Sequence, residues 1–100
     1  MALHMVVMDH TPESCGHRNS ENRTAFGDGF QQLARSVANH RASIAGAWIN
    51  SGAHRHFLLI DAPDAHTANA ILGESGLLSR ATSKVTAVDD FAGALVPTGS

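Results

Sequence analysis

The chain predicts an α+β domain with the element order β-α-β-β-α-β, a four-stranded antiparallel sheet carrying two helices on one face. Three observations carry this expectation. Two segments repeat apolar residues at the helical period, and four others are short β-branched or apolar runs bounded by turn residues. The two middle runs are joined by Asn50-Ser51-Gly52-Ala53, which supplies the turn of a hairpin. With right-handed crossovers, this order sets the first and third strands side by side in the centre, running antiparallel, which is the ferredoxin-like topology.

Residues 3–9 are rich in β-branched and methionine side chains and form the first predicted strand. Residues 10–22 are polar. Within them Thr11-Pro12-Glu13 has the form of a helix start, with Thr11 as cap and Pro12 first in the helix, enough for a single turn. Phe26, Phe30, Leu33 and Val37 are spaced four, three and four apart and mark one face of the first helix. Its start is placed near Asn22. Gly27 and Gly29 weaken the first turns, so Asp28 with Gln31 forms an alternative, later capping box; the helix ends near His40.

Residues 42–50 and 54–62 are the second and third strands. Pro63 is expected in the first turn of the second helix, whose buried stripe is Ala65, Ala68 and Leu72 with Ile71 beside it, and Gly73 and Gly76 end it. Residues 83–91 are the fourth strand. One hundred residues hold a single core, so residues 1–96 are one domain and 97–100 a frayed tail.

The formal charge of −2 and a pI near 6.3 offer no basic footprint for nucleic acid; Lys84 is the only lysine and the arginines are scattered. The single cysteine, Cys15, rules out an intrachain disulfide and fits a reducing, cytoplasmic compartment. No run is long enough to span a bilayer, and residues 1–8 lack the length and basic start of a signal peptide.

Alternation divides the first strand into Leu3, Met5, Val7, Asp9 and His4, Val6, Met8, His10. It divides the third into Arg55, Phe57, Leu59, Asp61 and His54, His56, Leu58, Ile60. The faces with Met5, Val7, Phe57 and Leu59 are expected beneath the helices. The other faces are apolar at Val6, Met8, Leu58 and Ile60; left open, they would be covered by a second copy, which predicts a homodimer.

Because the central strands run antiparallel, the end of the first lies beside the start of the third. His10 then lies opposite or diagonal to His54, and His10, His54 and His56 project from one end of one face. The loop that follows adds Glu13, Cys15 and His17 as donors. Imidazoles with a thiolate suit a transition metal (nickel, copper or zinc) better than magnesium or calcium, so the expected metal ligands are His10, His54, His56, Cys15 and His17.

Gly46-Ala47-Trp48-Ile49, followed by Phe57-Leu58-Leu59-Ile60-Asp61-Ala62-Pro63-Asp64 and Gly76-Leu77, resembles the small nickel-binding ferredoxin-like proteins of the dimeric α/β-barrel class. The strand ending Met8-Asp9-His10 is similar to theirs as well, and the resemblance covers about half the chain. It implies a dimeric barrel and nickel bound by histidines. Of the family's ligands only His10 carries over. The family places a histidine just before the Gly-Leu pair, where this chain has Ser75, and Cys15-Gly16-His17 lies outside the family pattern.

The alternative is a cofactor-independent enzyme resembling antibiotic-biosynthesis monooxygenases and acting on a small-molecule ligand. His10 or His56 would be its general base, and Trp48 or Asn50 would shape the pocket. A barrel that holds a ligand without chemistry is the third reading.

Overall fold

The computed structural model describes residues 2–97. It contains β1 (Ala2–Asp9), α1 (Ser20–Asn39), β2 (Ser43–Asn50), β3 (Arg55–Ala62), α2 (Ala65–Ser75) and β4 (Thr82–Val88), with short 3-10 segments at Pro12–Ser14, Leu77–Ser79 and Ala92–Leu95. The four strands form one antiparallel sheet in the order β2-β3-β1-β4, the ferredoxin-like α+β arrangement expected from the sequence.

Helix α1 begins earlier than expected because Asn19 caps it: its side-chain oxygen accepts the Asn22 N–H at 2.8 Å. Gly27 and Gly29 lie inside the helix, and the alternative start at Asp28 is not the one taken. Gly29 is a point of close approach, since a Cβ there would collide with the Leu77 side chain. Helix α2 is capped by Asp64, which accepts the Thr67 N–H at 2.7 Å. Pro63 thus precedes the cap rather than entering the first turn. Gly73 stays within α2, and Gly76, with φ of 79°, ends it in the left-handed conformation. The buried stripe of α2 is Ala68, Ile71, Leu72 and Ser75, while Ala65 is exposed. β4 stops at Val88, short of Phe91. The tail expected at 97–100 lies, from residue 98 on, outside the described residues.

The core corrects the expected choice of sheet face. Val6, Met8, Leu58 and Ile60 are buried against Phe26, Leu33, Val37, Ile71 and Leu72 of the helices, while Met5, Val7, Phe57 and Leu59 face away and are half-buried. Both faces are apolar at mid-strand, so alternation in β1 and β3 does not separate them. Register with the other strand does. Lys84 pairs with Val7 and shares its face, and Asp9 and Arg55 form an ion pair at 2.6 Å on that same face. Putting Lys84 beneath the helices would bury a charge, whereas full burial of a Leu or Ile gains about 1.5–3 kcal/mol. The helices accordingly cover the face that carries the histidines.

Candidate metal centre

The β1–β3 ladder pairs Met8 with His56 and Asp9 with Arg55. One step beyond the strand, the His10 N–H donates to the His54 carbonyl at 3.0 Å. His54 closes the hairpin turn, its N–H donating to the Ser51 carbonyl at 3.2 Å, with φ of 54°. Histidine is among the few non-glycine residues that enter this left-handed region with any frequency. The imidazoles of His10 and His54 stand 5.3 Å apart between centroids, and those of His10 and His56 5.5 Å. Helix α1 roofs them: Phe26 lies 5.1 Å from the His10 ring and Phe30 5.1 Å from the His56 ring.

Cys15 reaches the same place through a tether. Thr11 caps the Pro12–Ser14 turn, accepting the Ser14 N–H at 3.3 Å. The buried Asn22 then holds the loop to α1, its side-chain amide donating to the carbonyls of Glu13 at 2.8 Å and Cys15 at 3.1 Å. The Asn22 oxygen accepts from Arg80 at 3.1 Å. Cys15, 7% exposed, is thereby placed so that donor atoms of His10, Cys15 and His54 all lie within 4.8 Å of one another, a group that could hold a metal ion.

Several of the histidine nitrogens lack a protein partner. Both ring nitrogens of His10, and Nδ1 of His54 and of His56, are buried without a hydrogen-bond partner among the described residues. A buried polar atom left this way costs about 1–3 kcal/mol, so a cluster of them calls for a ligand. Burial pushes the pKa values of His10 and His56 down, and the neighbouring imidazoles push the same way: His54, and less strongly His17, on His10, and His10 on His56. Asp9 opposes this only in part at His10. The neutral imidazole thus favoured is the form that ligates metals.

All five residues expected from the sequence gather at this end of the sheet, in two ranks. His10, Cys15 and His54 form the close donor group. His56 and the exposed His17 stand around it and line a pocket of about 200 Å³ together with His10, Cys15 and Arg23. Glu13 contributes only its backbone carbonyl, to Asn22. Trp48 and Asn50 do not line this pocket; by register they share the faces of Phe57 and Arg55. Ser75, standing where the resemblance puts a histidine, donates to the Leu72 carbonyl at 2.6 Å and accepts the Leu77 N–H at 3.1 Å, closing α2.

The sequence reading missed Asn22 and Arg23. Asn22 lies four residues before Phe26 and so continues the apolar stripe of α1, the one signal that its polar side chain is buried among backbone groups. Of the other histidines, His4 is 2% exposed at the far end of β1, and His40 bonds Glu74 at 2.9 Å.

No family model matches the chain, and comparison with curated proteins finds no match. The likeness to the small nickel-binding proteins therefore reaches as far as the ferredoxin-like fold. Among the described residues, no helix is long and apolar enough to cross a membrane.

Proposed function

We propose that this chain is a transition-metal-binding protein whose ion is held by His10, Cys15 and His54, with His56 and His17 on the wall of the adjoining pocket. The observation that carries this is that both ring nitrogens of His10 and Nδ1 of His54 are unpartnered beside the Cys15 thiol. Two imidazoles and a thiolate form a borderline-soft donor set, suited to zinc, copper or nickel. Bond lengths of about 2.0–2.3 Å require donors about 3.3–3.7 Å apart in a tetrahedral site. The donor atoms of His10, Cys15 and His54 lie within 4.8 Å of one another, near enough for small side-chain shifts to bring them to such spacings.

The test is spectroscopic. Cobalt-loaded protein should show the charge-transfer band of a metal thiolate, and the C15S variant should bind cobalt without it. A band that survives in C15S would remove Cys15 from the site. A thiolate ligand is lost on oxidation, which suits a reducing, cytoplasmic setting.

The working unit on this reading is a homodimer. Val7, Phe57 and Leu59, with Trp48 at 55% exposure, present an apolar sheet face away from the helices. Phe91, Leu95 and Val96, at 66%, 69% and 63%, extend the uncovered apolar surface. Covering the sheet face with its own copy satisfies both chains by one two-fold contact.

A further inference from the structure

We propose that the pocket beside the metal donors takes a short-chain monocarboxylate, its carboxylate lying between the metal's open coordination position and the Arg23 guanidinium. This rests on the metal reading above. Three protein donors leave a tetrahedral ion one position short, and in reactive metal sites that position takes an exogenous ligand. Here the pocket adjoins two of the three donors, His10 and Cys15.

Its charge selects the ligand's sign. No Asp or Glu lines it, while Arg23 does, and among the described residues the Arg23 side chain has neither an ion pair nor a hydrogen bond. A divalent ion with one thiolate and neutral imidazoles keeps one net positive charge, and Arg23 on the pocket lining adds a second. A carboxylate fits between a metal and a guanidinium because its two oxygens can each serve one of them.

Size and walls select the rest of the molecule. The pocket holds about 200 Å³, below the roughly 300–1,000 Å³ of sites for drug-sized molecules. Phe26 and Ile49 give it apolar sides, suited to a short alkyl chain and unsuited to phosphate, whose every oxygen needs a polar partner. Ser51 is the remaining side-chain hydroxyl on the lining.

The experiment titrates cobalt-loaded protein with butyrate, acetate, inorganic phosphate and butyramide and follows the cobalt visible spectrum. Butyrate should shift the spectrum and saturate, acetate should bind more weakly, and phosphate and butyramide should leave it unchanged. R23Q should retain its cobalt but weaken butyrate by about tenfold, with R23K between the two. If cobalt binds and butyrate does not shift the spectrum, or binds R23Q equally well, the carboxylate proposal is wrong and the metal reading stands. A phosphate response stronger than butyrate's also overturns it. If cobalt does not bind, both fall together.

Discussion

The His10 N–H donates to the His54 carbonyl at 3.0 Å, and through this one backbone bond two imidazoles separated by most of a hairpin and a helix share a single face. The ladder itself thus sets the spacing of the donors. His54 accepts a left-handed φ of 54° to make that bond.

Glycine suits that conformation without its own Cβ in the way. H54G should therefore fold as well as the parent, within about 1 kcal/mol in metal-free thermal unfolding. The thermal stabilisation produced by added metal should be lost in the same variant. A parent-like metal response in H54G would show that His54 serves the turn and not the ion.

Asn22 is a positioning residue. N22A removes the two hydrogen bonds that hold the Cys15 loop and leaves the Arg80 guanidinium without its acceptor. Stability should fall by about 1–3 kcal/mol. Metal affinity should fall as well, while stoichiometry at saturating metal is kept, as isothermal titration would read. Unchanged affinity would mean that Cys15 finds the donor group without its tether.

The lowered pKa values of His10 and His56 set a pH dependence. Between those folded-state values and the ordinary 6.5, the unfolded chain binds more protons than the folded one. Stability of the metal-free protein is therefore full above 6.5 and is lost as the pH falls through the lowered values. Protons and metal compete for the same nitrogens, so metal should leave over the same window. Thermal melts across the range, with H56A as comparison, check this; a melting temperature that rises on acidification would contradict it.

The fold's element order was legible because helical periodicity and the turn residues of the hairpin are local signals. So was the meeting of His10 with His54 and His56, which needs only antiparallel central strands and the right register. The helix-covered face was not legible in β1 and β3, where Met5-Val7 and Val6-Met8 are equally apolar; Lys84, on another strand, decides it. The start of α1 was legible to within two residues, but Gly29 resembles a helix breaker locally and shows its purpose only against Leu77. The tether from Asn22 to Cys15 lies between backbone carbonyls, which the sequence does not display.

Two glycines of α1 test that account of the helix. Gly27 faces open space, so G27A should stabilise by about 0.5–1 kcal/mol. Gly29 faces Leu77, so G29A should destabilise by about 1–3 kcal/mol. Denaturant unfolding of the pair reads both signs, and equal effects would contradict the close packing of α1 on Leu77.

The homodimer predicts that a charge at the centre of the apolar sheet face separates the chains. F57D should sediment as a monomer at concentrations where the parent is a dimer, with the helical circular dichroism signal kept. A parent that sediments as a monomer would remove the dimer from the proposal.

Elemental analysis of tag-free protein after incubation with nickel, zinc or copper and gel filtration, beside the H10A/H54A double variant, decides whether the histidine cluster holds an ion. About one transition-metal ion per parent chain is expected, and none in the variant. No retained metal in the parent, or equal metal in both proteins, would contradict it.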